Sequence, residues 1–174
     1  RKAILGAKDL DRLRLVSAND VERAAKPLRI ALVSTYAPRK CGIATFSEDV
    51  RSALLKAAPD AFIDVWPIVA PGEFVSEKQT VTEGDHASFR AAARAIDAAS
   101  TDLVILQHEF GLFGGSAGDV VLELTSALAC PLIVTFHTVL PDPEAEQERV
   151  MRALIERAAR LVVMSERSRD LLVS

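Results

Sequence analysis

Five short apolar runs recur along the 174 residues with a helical pattern following each, and this alternation limits the fold more than any other feature. The runs are Leu28–Ser34, Phe62–Val69, Asp102–Gln107, Pro131–Phe136 and Arg160–Met164. Strands separated by helices pair in parallel, because parallel neighbours need crossovers, and right-handed crossovers put helices on both faces of the sheet. The pattern predicts an α/β fold with a doubly wound, Rossmann-like parallel sheet of about five strands in the order 3-2-1-4-5. Its ligand crevice is expected beyond the carboxyl ends of the strands, between the first and the fourth.

The first helix, with Phe46, Val50, Ala53, Leu54 and Ala57 on one face, is expected to start near Thr45, which forms a capping-box pattern with Glu48. Pro67 lacks a backbone donor, which predicts an edge position or a bulge in the second strand. The polar stretch Pro71–Asp85 reads as a loop, and helices are expected over 86–98, 117–129, 143–159 and from Glu166 onward. Residues 1–27 hold seven Lys or Arg against four Asp or Glu and no strand pattern. They read as a leader helix, a linker or a flexible tail, and the weakly amphipathic Leu10, Leu13 and Val16 leave a peripheral membrane contact open.

Composition narrows the function classes. An apolar fraction of 49% suits a single packed core. A net charge of -3 and scattered aromatics argue against a nucleic-acid partner, which needs clustered cations and stacking surfaces. No apolar run approaches the roughly 20 residues of a membrane span. No secretory-signal pattern is legible either, so a cytoplasmic location is expected, with peripheral contact at the inner face of the membrane as the open variant. Cys41 and Cys130 form neither a metal quartet nor a disulfide framework and read as reduced thiols, although Arg39 and Lys40 could lower the pKa of Cys41.

Three strand ends carry chemistry. After the first strand, Pro38-Arg39-Lys40-Cys41-Gly42 offers a glycine for close backbone approach, two cations and a helix start whose amides suit an anion. A plain glycine turn with a solvated basic pair fits the same residues. Neither G-x-G-x-x-G nor G-K-[ST] is present, which disfavours NAD and ATP. After the third strand come Gln107, His108 and Glu109, followed by Gly111, Gly114 and Gly115. Adjacent His108 and Glu109 can line one cleft only if the chain leaves the sheet there, and a structural His108 is the alternative. His137 follows the fourth strand, where an imidazole can meet a sugar hydroxyl or a phosphate. His108, Glu109 and His137 lack metal-ligand spacing, so no metal is expected, and Ser116 is not in a G-x-S-x-G elbow.

The segments IALVSTYAPRKCGIATF (30–46), LQHEFGLFGG (106–115) and TFHTVLPDP (135–143), in this order on successive strand ends, resemble the N-terminal domain of family 4 glycosyltransferases. The resemblance covers about 28–174 and implies the N-terminal half of a two-domain GT-B architecture. It implies transfer of a sugar from a nucleotide-sugar donor to a hydroxyl acceptor, with retention of anomeric configuration and without a metal or other cofactor. By the same resemblance, His137 and Glu109 would be catalytic. Gly42, Arg39 and Lys40 would flank the donor phosphate, and Gln107, His108, Glu109 and Gly111 would face the acceptor. The family's donor-binding C-terminal domain has no counterpart in the 174 residues, so the chain is expected to be part of a longer enzyme and to be inactive alone. A non-catalytic module that binds a sugar or phosphorylated ligand is the alternative.

Overall fold

The structure, a computed structural model, describes residues 26–73 and 79–173. The sequence readings for the leader, including Leu10, Leu13 and Val16, fall outside the described residues. The elements run β1 (Arg29–Ser34), α1 (Gly42–Ala57), β2 (Phe62–Val69), β3 (Val81–Thr82), α2 (His86–Ala98), β4 (Leu103–His108), α3 (Val121–Ala127), β5 (Leu132–Phe136), α4 (Ala145–Arg157), β6 (Arg160–Val163) and α5 (Glu166–Val173). Two short 3₁₀ turns, Phe110–Leu112 and Ser116–Gly118, lead from β4 into α3.

All strand pairs are parallel, and the sheet order is β3-β2-β1-β4-β5-β6. The doubly wound order expected from the sequence is present, but its third place belongs to Val81–Thr82, two residues inside the stretch read as a loop. A strand this short carries no periodicity to read. The run ending in Gln107 is therefore the fourth strand and lies at the centre of the sheet, with Leu32 of β1 facing Ile105 of β4. Pro67 is consistent with its position. Phe62 donates its amide to Leu28 on the β1 side, so strand alternation turns the Pro67 nitrogen to the other side, where β3 pairs only from Ile68.

Each face of the sheet has its own core. Ala31, Val33, Val104, Leu106, Val134 and Phe136 pack with Phe89 and Ile96 of α2, Val121 and Leu124 of α3, and Met151 and Leu154 of α4. On the opposite face Ile30, Leu32, Ile63 and Ile105 pack against Leu54 and Leu55 of α1. The helices change face between β1 and β4, which makes that pair the topological switch point.

α1 starts at Gly42, before the Thr45 start expected from the sequence, because the Cys41 thiol serves as its N-cap and accepts from the Ala44 amide at 3.4 Å. Thr45 instead donates its hydroxyl back to the Cys41 carbonyl at 3.4 Å. α2 follows the more common rule: the Asp85 carboxylate accepts from the amides of Ala87 and Ser88.

Candidate functional site

Period-two alternation decides which strand-end side chains share a face. Residues 30, 32 and 105 face α1, so Ser34 and Gln107 share that side, Ile133 brings Thr135 to it as well, and His137 meets Gln107 there. Ser34 and Ser47 join hydroxyls at 2.6 Å, locking the end of β1 to α1 while both are fully buried.

His137 lies one residue past β5, held by its own amide, which donates to the His108 carbonyl at 3.0 Å. Its Nε2 is 2.9 Å from Oε1 of Gln107, and the ring of Phe46 from α1 meets it edge-on with centroids 4.9 Å apart. Gln107 is 1% exposed, and its Nε2 has no partner. Partial burial holds the His137 pKa below the usual histidine value, against the opposing pull of the Glu109 carboxylate. The balance favours the uncharged ring.

Glu109 closes the next layer. Its Oε2 accepts from the Thr138 hydroxyl at 2.6 Å, and its Oε1 accepts from the Phe110 amide at 3.0 Å. One carboxylate thereby caps a 3₁₀ turn and ties the loop after β4 to the loop after β5.

His108 does not join this wall. β4 continues through His108, paired with Phe136, so the ring points to the face opposite Gln107 and is fully buried. It stacks on Phe113 at 5.5 Å, with Phe110 at 5.0 Å and Phe136 at 5.1 Å edge-on. Neither ring nitrogen has a hydrogen-bond partner. Burial, with the charge of His137 as a smaller contribution, pushes its pKa down to about 3. The expectation that His108 faces an acceptor is corrected: the chain leaves the sheet only at Glu109.

The basic loop follows β1, at the same carboxyl edge of the sheet. Arg39 donates its amide to the Tyr36 carbonyl at 3.0 Å, and its guanidinium approaches Glu83 at 3.8 Å, which draws it towards the loop after β3. Lys40 and Gly42 are exposed. A methyl group added at Gly42 would meet nothing within 4 Å. For Cys41, partial burial works to raise the thiol pKa. Hydrogen bonds from Thr35, Ala44 and Ile43 and the charge of Arg39 outweigh that effect and hold it below the usual thiol value. Gly111 is exposed in the 3₁₀ turn Phe110–Leu112, and a Cβ added there would meet nothing within 4 Å.

The structure thus groups Gln107, Glu109 and His137 and adds Phe46 and Thr138, which sequence reasoning did not assign to the site. Phe46 was legible as part of the apolar stripe of α1 and as the end of the segment 30–46, without a role of its own, and the hint for Thr138 was its place beside His137. Two surface concavities of about 630 and 640 Å³ lie elsewhere. One lies among α2, α3 and α4 and includes His86, Glu123 and Arg149; the other lies at the amino end of the sheet around Leu28 and Phe62. Among the described residues, no three His, Cys, Asp or Glu side chains are grouped to hold a metal ion, and no helix is long and apolar enough to cross a membrane.

No family model and no curated protein matches the chain. Among solved structures it is similar to a homoserine dehydrogenase from S. aureus, at 14% identity and a TM-score of 0.36 over 80% of this chain and 33% of that one. It is also similar to a conserved protein from Enterococcus faecalis V583, at 13% identity and a TM-score of 0.36 over 84% and 86% of the two chains. A third likeness is to a GGGPS from Thermoplasma volcanium, at 17% identity and a TM-score of 0.34 over 81% and 57%. The chain spans about a third of the length of the dehydrogenase.

Proposed function

We propose that this chain is the acceptor-side domain of a retaining glycosyltransferase, similar to family 4, that moves a sugar from a nucleotide-sugar to an acceptor hydroxyl. The observation that carries the reading is the convergence of Gln107, His137 and Phe46 on the α1 face, at the carboxyl ends of β4 and β5. Beside it lies the start of the 16-residue α1. A neutral imidazole held by a buried amide suits a sugar hydroxyl, and a helix start flanked by Arg39 and Lys40 suits a diphosphate.

In this reading the bond between the anomeric carbon and the diphosphate oxygen breaks while the acceptor oxygen bonds to the same carbon on the same face. The hydroxyl proton passes to the departing diphosphate. Cations and helix-start amides stabilise the charge that develops on the leaving group. Arg39, Lys40 and Gly42 serve the phosphate; His137 meets the transferred sugar; Gln107, Glu109 and Gly111 line the acceptor side. The donor is a substrate, no metal takes part, and, as in the family that the chain resembles, most nucleotide contacts come from a second α/β domain. The protein works in the cytoplasm, with peripheral contact at the inner face of the membrane as one variant.

A second reading, a module that binds a sugar or phosphorylated ligand without transfer, is favoured by one observation: both Glu109 oxygens are already engaged, by Thr138 and by the Phe110 amide. The full-length gene product assayed with a panel of nucleotide-sugars separates the two. Acceptor-dependent release of nucleoside diphosphate, with retained configuration in the product, supports transfer. Saturable ligand binding without release from any donor supports the module.

A further inference from the structure

Gln107 offers two groups from a fully buried amide: Oε1, 2.9 Å from His137 Nε2, and Nε2, which has no partner. A carbonyl oxygen can only accept, so the imidazole nitrogen facing it must carry the proton. Phe46 covers the ring edge-on at 4.9 Å and offers no competing acceptor, and the neighbouring Glu109 carboxylate is engaged by Thr138 at 2.6 Å and by the Phe110 amide.

We infer that Gln107 is a positioning residue for His137: it holds the ring in the Nε2–H tautomer, so that Nδ1 is the ring's only free polar atom and acts purely as an acceptor. The inference deepens the transferase reading and rests on it for its functional meaning. A ring whose one proton is already committed cannot donate to a phosphate oxygen, but it can accept from a hydroxyl. His137 therefore recognises the sugar or acceptor hydroxyl, and anion recognition falls to the loop at Arg39, Lys40 and the start of α1.

The fixed tautomer follows from the second side chain rather than from the histidine itself, as in other sites where a partner on one ring nitrogen decides the role of the other. Rotating the amide by half a turn would present Gln107 Nε2 to the ring and require the opposite tautomer. The tautomer is therefore a direct readout.

The test is nitrogen-15 NMR of the histidine rings in the folded chain near neutral pH. With only three histidines, His86, His108 and His137, the spectrum is assignable by single substitutions. The expected result is a His137 ring protonated at Nε2 with Nδ1 in the unprotonated range. Gln107→Leu, which keeps bulk and removes the acceptor, should raise the Nδ1–H population several-fold, while Gln107→Glu, which keeps an acceptor oxygen, should preserve the Nε2–H form. Added inorganic phosphate should leave the Nδ1 signal in place. An Nδ1–H tautomer in the unsubstituted chain, an unchanged ratio in Gln107→Leu, or protonation of Nδ1 on adding phosphate would overturn the inference. If Gln107→Leu fails to fold, the unsubstituted spectrum still decides. None of these measurements uses a nucleotide-sugar, so failure to transfer sugar would sink the functional reading while leaving the tautomer result intact.

Discussion

Thr138 donates its hydroxyl to Glu109 at 2.6 Å, a bond that joins the loop after β4 to the loop after β5, beside Gln107 and His137. A hydrogen bond to a carboxylate contributes about 1.5–3 kcal/mol when well formed, less where water reaches it, and this one is only partly buried. Thr138→Val keeps the shape and removes the donor. It should lower unfolding free energy by about 1–2 kcal/mol in urea titrations, with Thr138→Ser retaining most of the stability. An unchanged midpoint in Thr138→Val would mean that the two loops are held together by other contacts.

His108 predicts a pH dependence with a definite sign. Its pKa falls from 6.5 to about 3 on folding because burial disfavours the cation. Between those values the unfolded chain binds a proton that the native state does not, so stability is complete above about pH 6.5 and is lost as the pH falls towards about 3. The slope reaches about 1.4 kcal/mol per pH unit for one such group. His108→Leu removes two unpartnered ring nitrogens at similar volume. Stability at pH 7 should be equal or higher, and the loss between pH 7 and pH 5 should shrink in paired urea titrations; part of it persists because the His137 pKa is lowered as well. An identical pH profile in the two proteins would show that His108 titrates normally.

How the site was legible follows from the same residues. Apolar runs with period two or 3.6 revealed the five longer strands and the main helices, because burial on both faces of a parallel sheet leaves a continuous apolar signature. They could not reveal Val81–Thr82, since two residues show no period, and that omission hid the central position of β4. The polar strand ends were legible as chemistry, but their sides were not. Whether His108 shares a wall with Gln107 depends on one more residue of strand, set by pairing with Phe136 rather than by anything in the local pattern. Cys41 reads from sequence as a reduced thiol and acts as an N-cap, a role that propensity does not suggest.

Two glycines in the loops should respond oppositely to alanine. Gly114 has a φ of +74°, and a Cβ there would come 2.7 Å from the backbone of Gly84 in the loop after β3. Gly114→Ala combines left-handed strain of about 1–2 kcal/mol with a backbone clash that no rotamer relieves, so a loss of at least about 2 kcal/mol is expected in thermal or urea unfolding. Gly42, at the first position of α1, faces open space. Gly42→Ala should be neutral or up to about 1 kcal/mol stabilising by the same assays, because alanine favours the helix and narrows the unfolded ensemble. If Gly42 serves a phosphate, that variant should still weaken donor binding while stability holds.

The strongest test of the functional reading is His137. Its ring reaches Gln107 from β4 and Phe46 from α1, so it joins three elements at one point, yet it is only partly buried and its loss creates no closed cavity. His137→Ala should therefore leave a folded protein by circular dichroism, with the unfolding free energy from urea titration lowered by about 1–3 kcal/mol because the buried Gln107 Oε1 loses its partner. In the full-length gene product it should lower turnover of a nucleotide-sugar by a factor of roughly tens or more, the range expected when one positioned polar group is removed from a transition state. A fall in kcat at similar KM would mean that the group acts mainly in the transition state, whereas a rise in KM alone would assign it to ground-state binding. Full turnover in a folded His137→Ala protein would remove His137 from the site, and with it the observation on which the transferase reading rests.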